Sequence, residues 1–253
     1  MNTNTGKCNV LTLAHNRNDI THYDYGLNVN DDNFIKLDHV DNFSDLGVIM
    51  DTKLTLDKHI YAKINIASKM LGIINRNFKD LDRYSFILLY KSLVRSHLEF
   101  AHSVWSPYKK GLIFEIEKIQ KRATKMVQGC KGKSYKERLQ LLNLPTLKFR
   151  RVRGDMIEVY KIIHNLYDQS VVPSLRRNFD TRTRGNSVKL KVDRCKYDLR
   201  KFSFCNRVTS EWNSLPGYVV CSGSLNSFKN NLDKFWSRED LVFNFEANIS
   251  ANF

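Results

Sequence analysis

At 253 residues and 42% hydrophobic, with four prolines and eleven glycines, the chain has material for one large or two modest packed domains and is neither collagen-like nor disordered. Its net charge is +15 but uneven: residues 1–60 hold five Lys/Arg and nine Asp/Glu, net −4, whereas residues 118–207 hold 24 and seven, net +17, which points to a polyanionic partner, nucleic acid before membrane. No 18-residue apolar run and no apolar leader occur, so neither a membrane span nor secretion is predicted, and five cysteines without a C-x-x-C pair predict reduced thiols in an intracellular compartment, nuclear and cytoplasmic.

Residues 8–50 alternate at period two. Val10, Leu11 and Leu13 suggest one strand and Tyr23, Tyr25, Leu27 and Val29 a second. Phe34 to Val40 returns as a hairpin across the Asn30-Asp31-Asp32-Asn33 turn cluster, and Leu46 to Met50 suggests a last strand. Four short strands without a crossover helix predict a small antiparallel meander. From Asp57 the period becomes helical, with Ile60, Ile64, Ala67, Leu71, Ile74 and Phe78 at steps of three and four. Asp82 is the N-cap of a second helix carrying Phe86, Leu89, Tyr90, Leu93 and Leu98. After Ser106-Pro107 a third helix runs from about Gly111 to Val127. It buries Ile116, Ile119 and Ala123 and presents Lys118, Lys121, Arg122 and Lys125 on one side.

Gly129 and Gly132 then break the chain, and Ser134 with Glu137 forms a capping box. Leu144-Pro145-Thr146 ends that helix and caps the next. This next helix buries Phe149, Val152, Met156, Val159 and Ile163 and is expected to carry Lys148, Arg150, Arg151 and Arg153 on its other face. Residues 168–197 lose periodicity and gather bases, Arg182 and Arg184 among them, as a candidate mobile or partner-ordered segment. A helix from Asp198 holds Phe202, Val208 and Trp212 until Leu215-Pro216-Gly217 stops it. Ser224 caps a last helix with Leu225, Phe228, Leu232 and Phe235, and the chain from about Arg238 is expected to fray. The expected fold is α+β and mostly helical: strands over 1–56, a helical domain over 57–130, a basic helical domain over 131–237 with its irregular segment, and a frayed tail over 238–253.

The reactive side chains do not assemble into a catalytic pattern. Asp31-Asp32 reads as a solvated turn rather than a metal pair, and Glu115 and Glu117 as ordinary surface acids. His97 and His102 near Glu99 have no accompanying nucleophile, so they read as core or cap histidines rather than an acid/base couple. There is no nucleophile elbow and no Gly-rich phosphate cradle. Trp105, Tyr108, Trp212 and Trp236 read as core rather than as platforms for base stacking. No catalytic residue, metal or small-molecule substrate is expected in this chain. The basic sets are different, because each Lys or Arg on a phosphate releases counterions. Lys118, Lys121, Arg122 and Lys125, then Arg150, Arg151 and Arg153, then Arg182 and Arg184 are the candidate phosphate contacts. The alternative is a helical structural or interaction protein whose basic face is merely solvated.

An ordered set of short stretches carries a resemblance. Asn4 and Lys7-Cys8 are followed by Asp45-Leu46-Gly47-Val48, Tyr90-Lys91-Ser92-Leu93-Val94-Arg95, His97-Leu98-Glu99-Phe100-Ala101 and Val104-Trp105-Ser106-Pro107-Tyr108. Then come Glu117-Lys118-Ile119-Gln120-Lys121-Arg122-Ala123-Thr124-Lys125, Arg182-Thr183-Arg184-Gly185, Glu211-Trp212-Asn213-Ser214-Leu215-Pro216 and Asn226-Ser227-Phe228-Lys229-Asn230. Over roughly residues 4–236 this resembles the C-terminal part of reverse transcriptases from non-LTR retrotransposons of the jockey and chicken-repeat type. The resemblance implies a palm tail up to about Val40, a primer-grip-like turn at Leu46, Gly47 and Val48, a thumb over Asp57 to about Gln128, and a post-thumb region after it. It implies RNA or an RNA–DNA hybrid as partner, and the polymerase palm and fingers as a further one. The family's catalytic aspartates, which would hold Mg²⁺ in the complete parent polymerase, lie upstream of the matched stretches. The chain is therefore expected to be an inactive fragment of an RNA-directed DNA polymerase whose first strands expose unpaired edges.

Overall fold

A computed structural model describes residues 5–13, 23–30, 33–178 and 188–249. The fold is α+β and mostly helical, with short strands confined to the start. The chain divides into two compact units, Met1–Ala62 and Lys63–Phe253.

In the first unit, β2 (Gly26–Asn30) and β3 (Asn33–Lys36) form the hairpin expected across the Asn/Asp cluster, with Leu27 opposite Ile35. Asp31 and Asp32 themselves lie outside the described residues. β1 (Asn9–Val10) pairs in parallel with β4 (Asp38–His39), while β5 (Asn42–Asp45) and β6 (Val48–Asp51) form a second antiparallel hairpin. The expected meander is thus replaced by separate two-stranded ladders. Runs of two to five residues are too short to extend one continuous sheet. The last strand begins at Val48 rather than at Leu46, because Leu46 and Gly47 are the two-residue turn between Asp45 and Val48. The Asp51 carboxylate ties down the loop that follows, accepting from the N–H groups of Lys53, Thr55 and Leu56 and from the Thr55 hydroxyl at 2.8–3.2 Å. Its pKa lies below the ordinary carboxylate range: burial pushes it up, but these hydrogen bonds prevail.

α1 (Asp57–Asn77) begins where the helical period begins, and the division between the units falls inside it. In the second unit its buried residues are Ile64, Ala67, Leu71 and Ile74, at helical spacing. α2 (Arg83–Leu89) is capped by Asp82, which accepts from Tyr84 N–H and Ser85 N–H. It continues through a wide π-helical turn, Tyr90–Arg95, into α3 (Ser96–Glu99). Ala101 takes a left-handed conformation, φ 52°, and starts α4 (His102–Trp105). α5 (Lys110–Ala123) ends in a 3₁₀ turn, Thr124–Met126. α6 (Tyr135–Leu142) opens on the expected Ser134/Glu137 capping box, and α7 (Leu147–Ile163) on Thr146. The helix expected from Asp198 is two: α8 (Asp198–Lys201) and α9 (Phe204–Asn213), with Ser203 between them. α10 (Gly217–Val220) is a short turn that the sequence did not announce, and α11 (Leu225–Phe235) follows its Ser224 cap.

α7 is the hub, packing on α4, α5, α9 and α11. Its Met156, Val159 and Tyr160 meet Val208, Trp212, Phe228 and Leu232 in one cluster, with the Tyr160 and Phe228 rings stacked at 4.4 Å. Residues 63–130 and 131–237 therefore do not part into the two expected helical domains. Polar bonds join them as well: Glu117 of α5 accepts from Leu147 N–H of α7 at 3.1 Å and from the Tyr135 hydroxyl at 2.5 Å, and Gln120 donates to the Pro145 carbonyl at 3.0 Å. Glu117, expected at the surface, is fully buried, and burial raises its pKa.

Two stretches expected to be loose are held. Within 168–197, Arg177 and Leu190 form an isolated antiparallel bridge. Asn213 brackets Leu190 with one bond to its N–H and one from its own side-chain amide to the carbonyl, both 2.8 Å, and Trp212 donates to the Val188 carbonyl at 2.9 Å. The tail does not fray over its described part. Leu241 is buried, and Thr146 donates to the carbonyls of Val242 (2.8 Å, main chain) and Leu241 (2.7 Å, hydroxyl). Both corrections have one cause. These segments lack their own periodicity and borrow hydrogen-bond partners from distant helix ends, where donors and acceptors would otherwise stay unpaired.

Candidate nucleic-acid interface

The Leu46-Gly47 turn is presented rather than packed. Both residues are left-handed (φ 44° and 79°), as a two-residue hairpin turn requires, and Leu46 is 88% exposed. Gly47 adopts this at no cost, whereas a leucine there costs about 1 kcal/mol. Val48, the third residue of the primer-grip-like set, points inward and is buried.

The four expected bases, three on α5 and Lys125 in the 3₁₀ turn after it, differ in their surroundings. Ile116, Ile119 and Ala123 are buried as expected. Lys118 is exposed but leans on Glu115 at 3.3 Å. Lys121 is boxed by aromatic rings, its Nζ 4.4 Å from the Phe245 centroid, 4.8 Å from Phe114 and 5.4 Å from Tyr135. Arg122 and Lys125 are exposed and, among the described residues, enter no salt bridge. Two further exposed bases, Lys131 and Lys133, flank Gly132 in the next loop, and sequence reasoning passed over them. Arg138 organises this region from beneath. It is buried and donates to the Thr124 hydroxyl (3.0 Å), to the Lys133 carbonyl (2.5 Å) and to the Lys121 carbonyl (3.4 Å). It thereby satisfies carbonyls at the end of α5 and holds residues 121–133 as one surface. The signal was a base at the centre of an apolar helix, Arg138 between Tyr135 and Leu142.

The α7 arginines are placed differently from the expectation of a solvated basic face. Arg150 makes a two-pronged ion pair with Glu99, whose other neighbour is Arg95 at 3.4 Å. Arg153 grips Asp233 of α11 at 2.5 and 2.8 Å. Arg151 is 3% exposed. It faces Glu117 and Asp155, and burial lowers its pKa against the pull of those carboxylates. The physical reason is position: α7 is enclosed by neighbours, so its polar residues must find partners in them. None of the three presents an uncommitted guanidinium at the surface. Arg182 and Arg184 lie outside the described residues. Beside them Arg176, Lys191, Arg194, Lys196, Arg200 and Lys201 are exposed, Arg176 with Asp193 at 3.8 Å.

The remaining candidates fall into structural roles. His102 Nδ1 bonds the Glu99 carbonyl at 3.0 Å rather than its carboxylate, and its Nε2 lies 3.9 Å from Asp155. Asp155 in turn binds Arg207 at 2.9 and 3.1 Å. Trp105, Trp212 and Trp236 are buried, and Tyr108 stacks on Phe202 at 4.2 Å. Among the described residues no three His, Cys, Asp or Glu side chains gather as a metal site, and Glu99, Asp155 and Asp233 are committed to arginines. Among the same residues no helix is long and apolar enough to cross a membrane. No protein-family model matches the chain, and no curated protein or solved structure does either.

Proposed function

We propose that the chain is the nucleic-acid-gripping part of a retroelement RNA-directed DNA polymerase, holding RNA or an RNA–DNA hybrid without polymerase chemistry of its own. The ordered motifs from Lys7 to Asn230 support the family. The observation that carries the binding is the surface from Arg122 to Lys133, where Arg122, Lys125, Lys131 and Lys133 are exposed on a segment fastened by buried Arg138. Cations on a fixed frame lose little entropy on meeting phosphates, and each contact releases counterions. The Leu46-Gly47 turn offers a second contact, apolar and rigid, suited to a sugar or base edge. The ion-paired α7 favours a plainer role for that helix: its arginines hold the fold together.

Filter binding of the purified chain to a short RNA–DNA hybrid across a salt series tests this. A log–log slope steeper than about −3 is expected. Reversing two charges, Arg122→Glu with Lys125→Glu, is expected to flatten it by about 1.5–2 and to weaken binding at least tenfold. A flat, weak response of the unaltered chain sinks the proposal.

A further inference from the structure

A cavity of about 760 Å³ opens between α5, α7 and α9. None of Arg122, Lys125, Lys131 and Lys133 lines it, although its Phe114 and Phe245 also flank Lys121. Its walls combine apolar side chains, Phe114, Met156, Val208 and Phe245, with the stacked pair Tyr108 and Phe202. The volume is that of a site for a small organic molecule. Three other bases line it besides Arg151, and two of them are committed. Lys148 donates to the Ala247 carbonyl (2.7 Å) and to Asn248 Oδ1 (3.0 Å). Arg207 is held by Asp155 and by the Ser103 carbonyl. Lys110 stands exposed at the rim.

Arg151 differs from all of these. It is buried, it lines the cavity, and neither its Nη1 nor its Nη2 has a hydrogen-bond partner. The carboxylates beside it do not supply one. Glu117 is occupied by Tyr135 and Leu147, and Asp155 by Arg207. A buried guanidinium with empty donors is unstable unless something accepts from it. The acceptor best matched to its fork is a carboxylate or a phosphate. Both Nη groups are closed to a water-sized probe as the side chain lies, so an anion in the cavity meets them when the unbonded guanidinium turns out into it.

We infer that this cavity binds a small organic anion, a carboxylate or phosphate ester on a flat apolar body, with Arg151 as the anion's anchor. The apolar body lies against Phe114, Phe245 and the Tyr108–Phe202 pair.

Titration calorimetry on the full chain decides it, with phenyl phosphate, phenylacetate, inorganic phosphate and benzyl alcohol as probes. Phenyl phosphate against phenylacetate distinguishes a phosphate site from a carboxylate site. At least one is expected to saturate at one site, tenfold or more tighter than inorganic phosphate, with benzyl alcohol not saturating. Arg151→Lys, which cannot fork, is expected to weaken that probe at least tenfold. Gly111→Trp is the second variant. Gly111 lines the cavity on α5, a side chain built there meets nothing within 4 Å, and tryptophan would obstruct the space while leaving Arg151 intact. It is expected to fold and to lose the probe. Arg122→Glu with Lys125→Glu is expected to keep it, which separates this site from the nucleic-acid surface. No saturable binding by either aromatic anion, or equal binding by Gly111→Trp and the unaltered chain, overturns the inference.

Discussion

Asp51 shows how much one side chain can organise. Four donors converge on its two oxygens, and the loop from β6 to α1 hangs from them. Because its folded-state pKa lies below the unfolded value of about 3.9, its stabilisation is present above about pH 4 and is lost as the pH falls through the depressed value. Asp51→Ala is expected to cost about 1–2 kcal/mol at neutral pH, allowing for its partial exposure. The difference from the unaltered chain should shrink on acidification, and protection of the Leu56 amide in hydrogen exchange reads it directly. Arg150, Arg151 and Arg153 make the opposite point. Written in sequence, a paired arginine and a solvated one are the same letter. The partners of Arg150 and Arg153, Glu99 and Asp233, lie 51 and 80 residues away, so no local pattern distinguishes the two states. The caps Asp82, Ser134, Thr146 and Ser224 were legible because a cap bonds within three residues of itself.

Among the elements, α7 depends on its glycine. A Cβ at Gly154 would stand 2.3 Å from His102 Nε2, so the imidazole lies against α7 only because that position is bare. Alanine is the better helix former by about 1 kcal/mol. Even so, Gly154→Ala is expected to lower stability by about 1–3 kcal/mol in urea melts, as displacement of His102 disturbs the Asp155–Arg207 pair. His102→Ala in the same chain should restore most of it. The segment 188–190 depends instead on α9. Removing the Asn213 amide should free Leu190, with at least tenfold faster exchange of its amide and faster proteolytic nicking between 176 and 197. The Trp212-Asn213 step was legible as a motif but not as a clamp. The segment it holds has no alternation of its own to predict a partner.

On the scale of the whole molecule, the tail is part of the second unit's core. Deleting residues 238–253 removes buried Leu241 and two bonds to Thr146, a loss of about 3–5 kcal/mol. That corresponds to a fall in Tm of roughly 6–20 °C for a unit of this size, measurable by calorimetry. The α+β class and most helix starts were legible in the sequence, because period and caps are local. It misjudged how the second unit holds together, because α5 and α7 are joined by buried polar groups such as Glu117 and Gln120, which look like surface residues in a helical wheel.

The bond from Thr146 to the tail also sets a clock on biosynthesis. The cap of the hub helix meets its acceptor at Leu241 only after 95 further residues have been made. At a synthesis rate of about 5–20 residues per second, that is roughly 5–20 s. Through that interval the nascent chain carries α7 with its first corner uncovered, and Leu144 and Leu147 beside it are among the most buried residues of the finished fold. This unit therefore stays unfinished until Leu241 has emerged, and a holdase that shields the Leu144–Leu147 corner would act in that window.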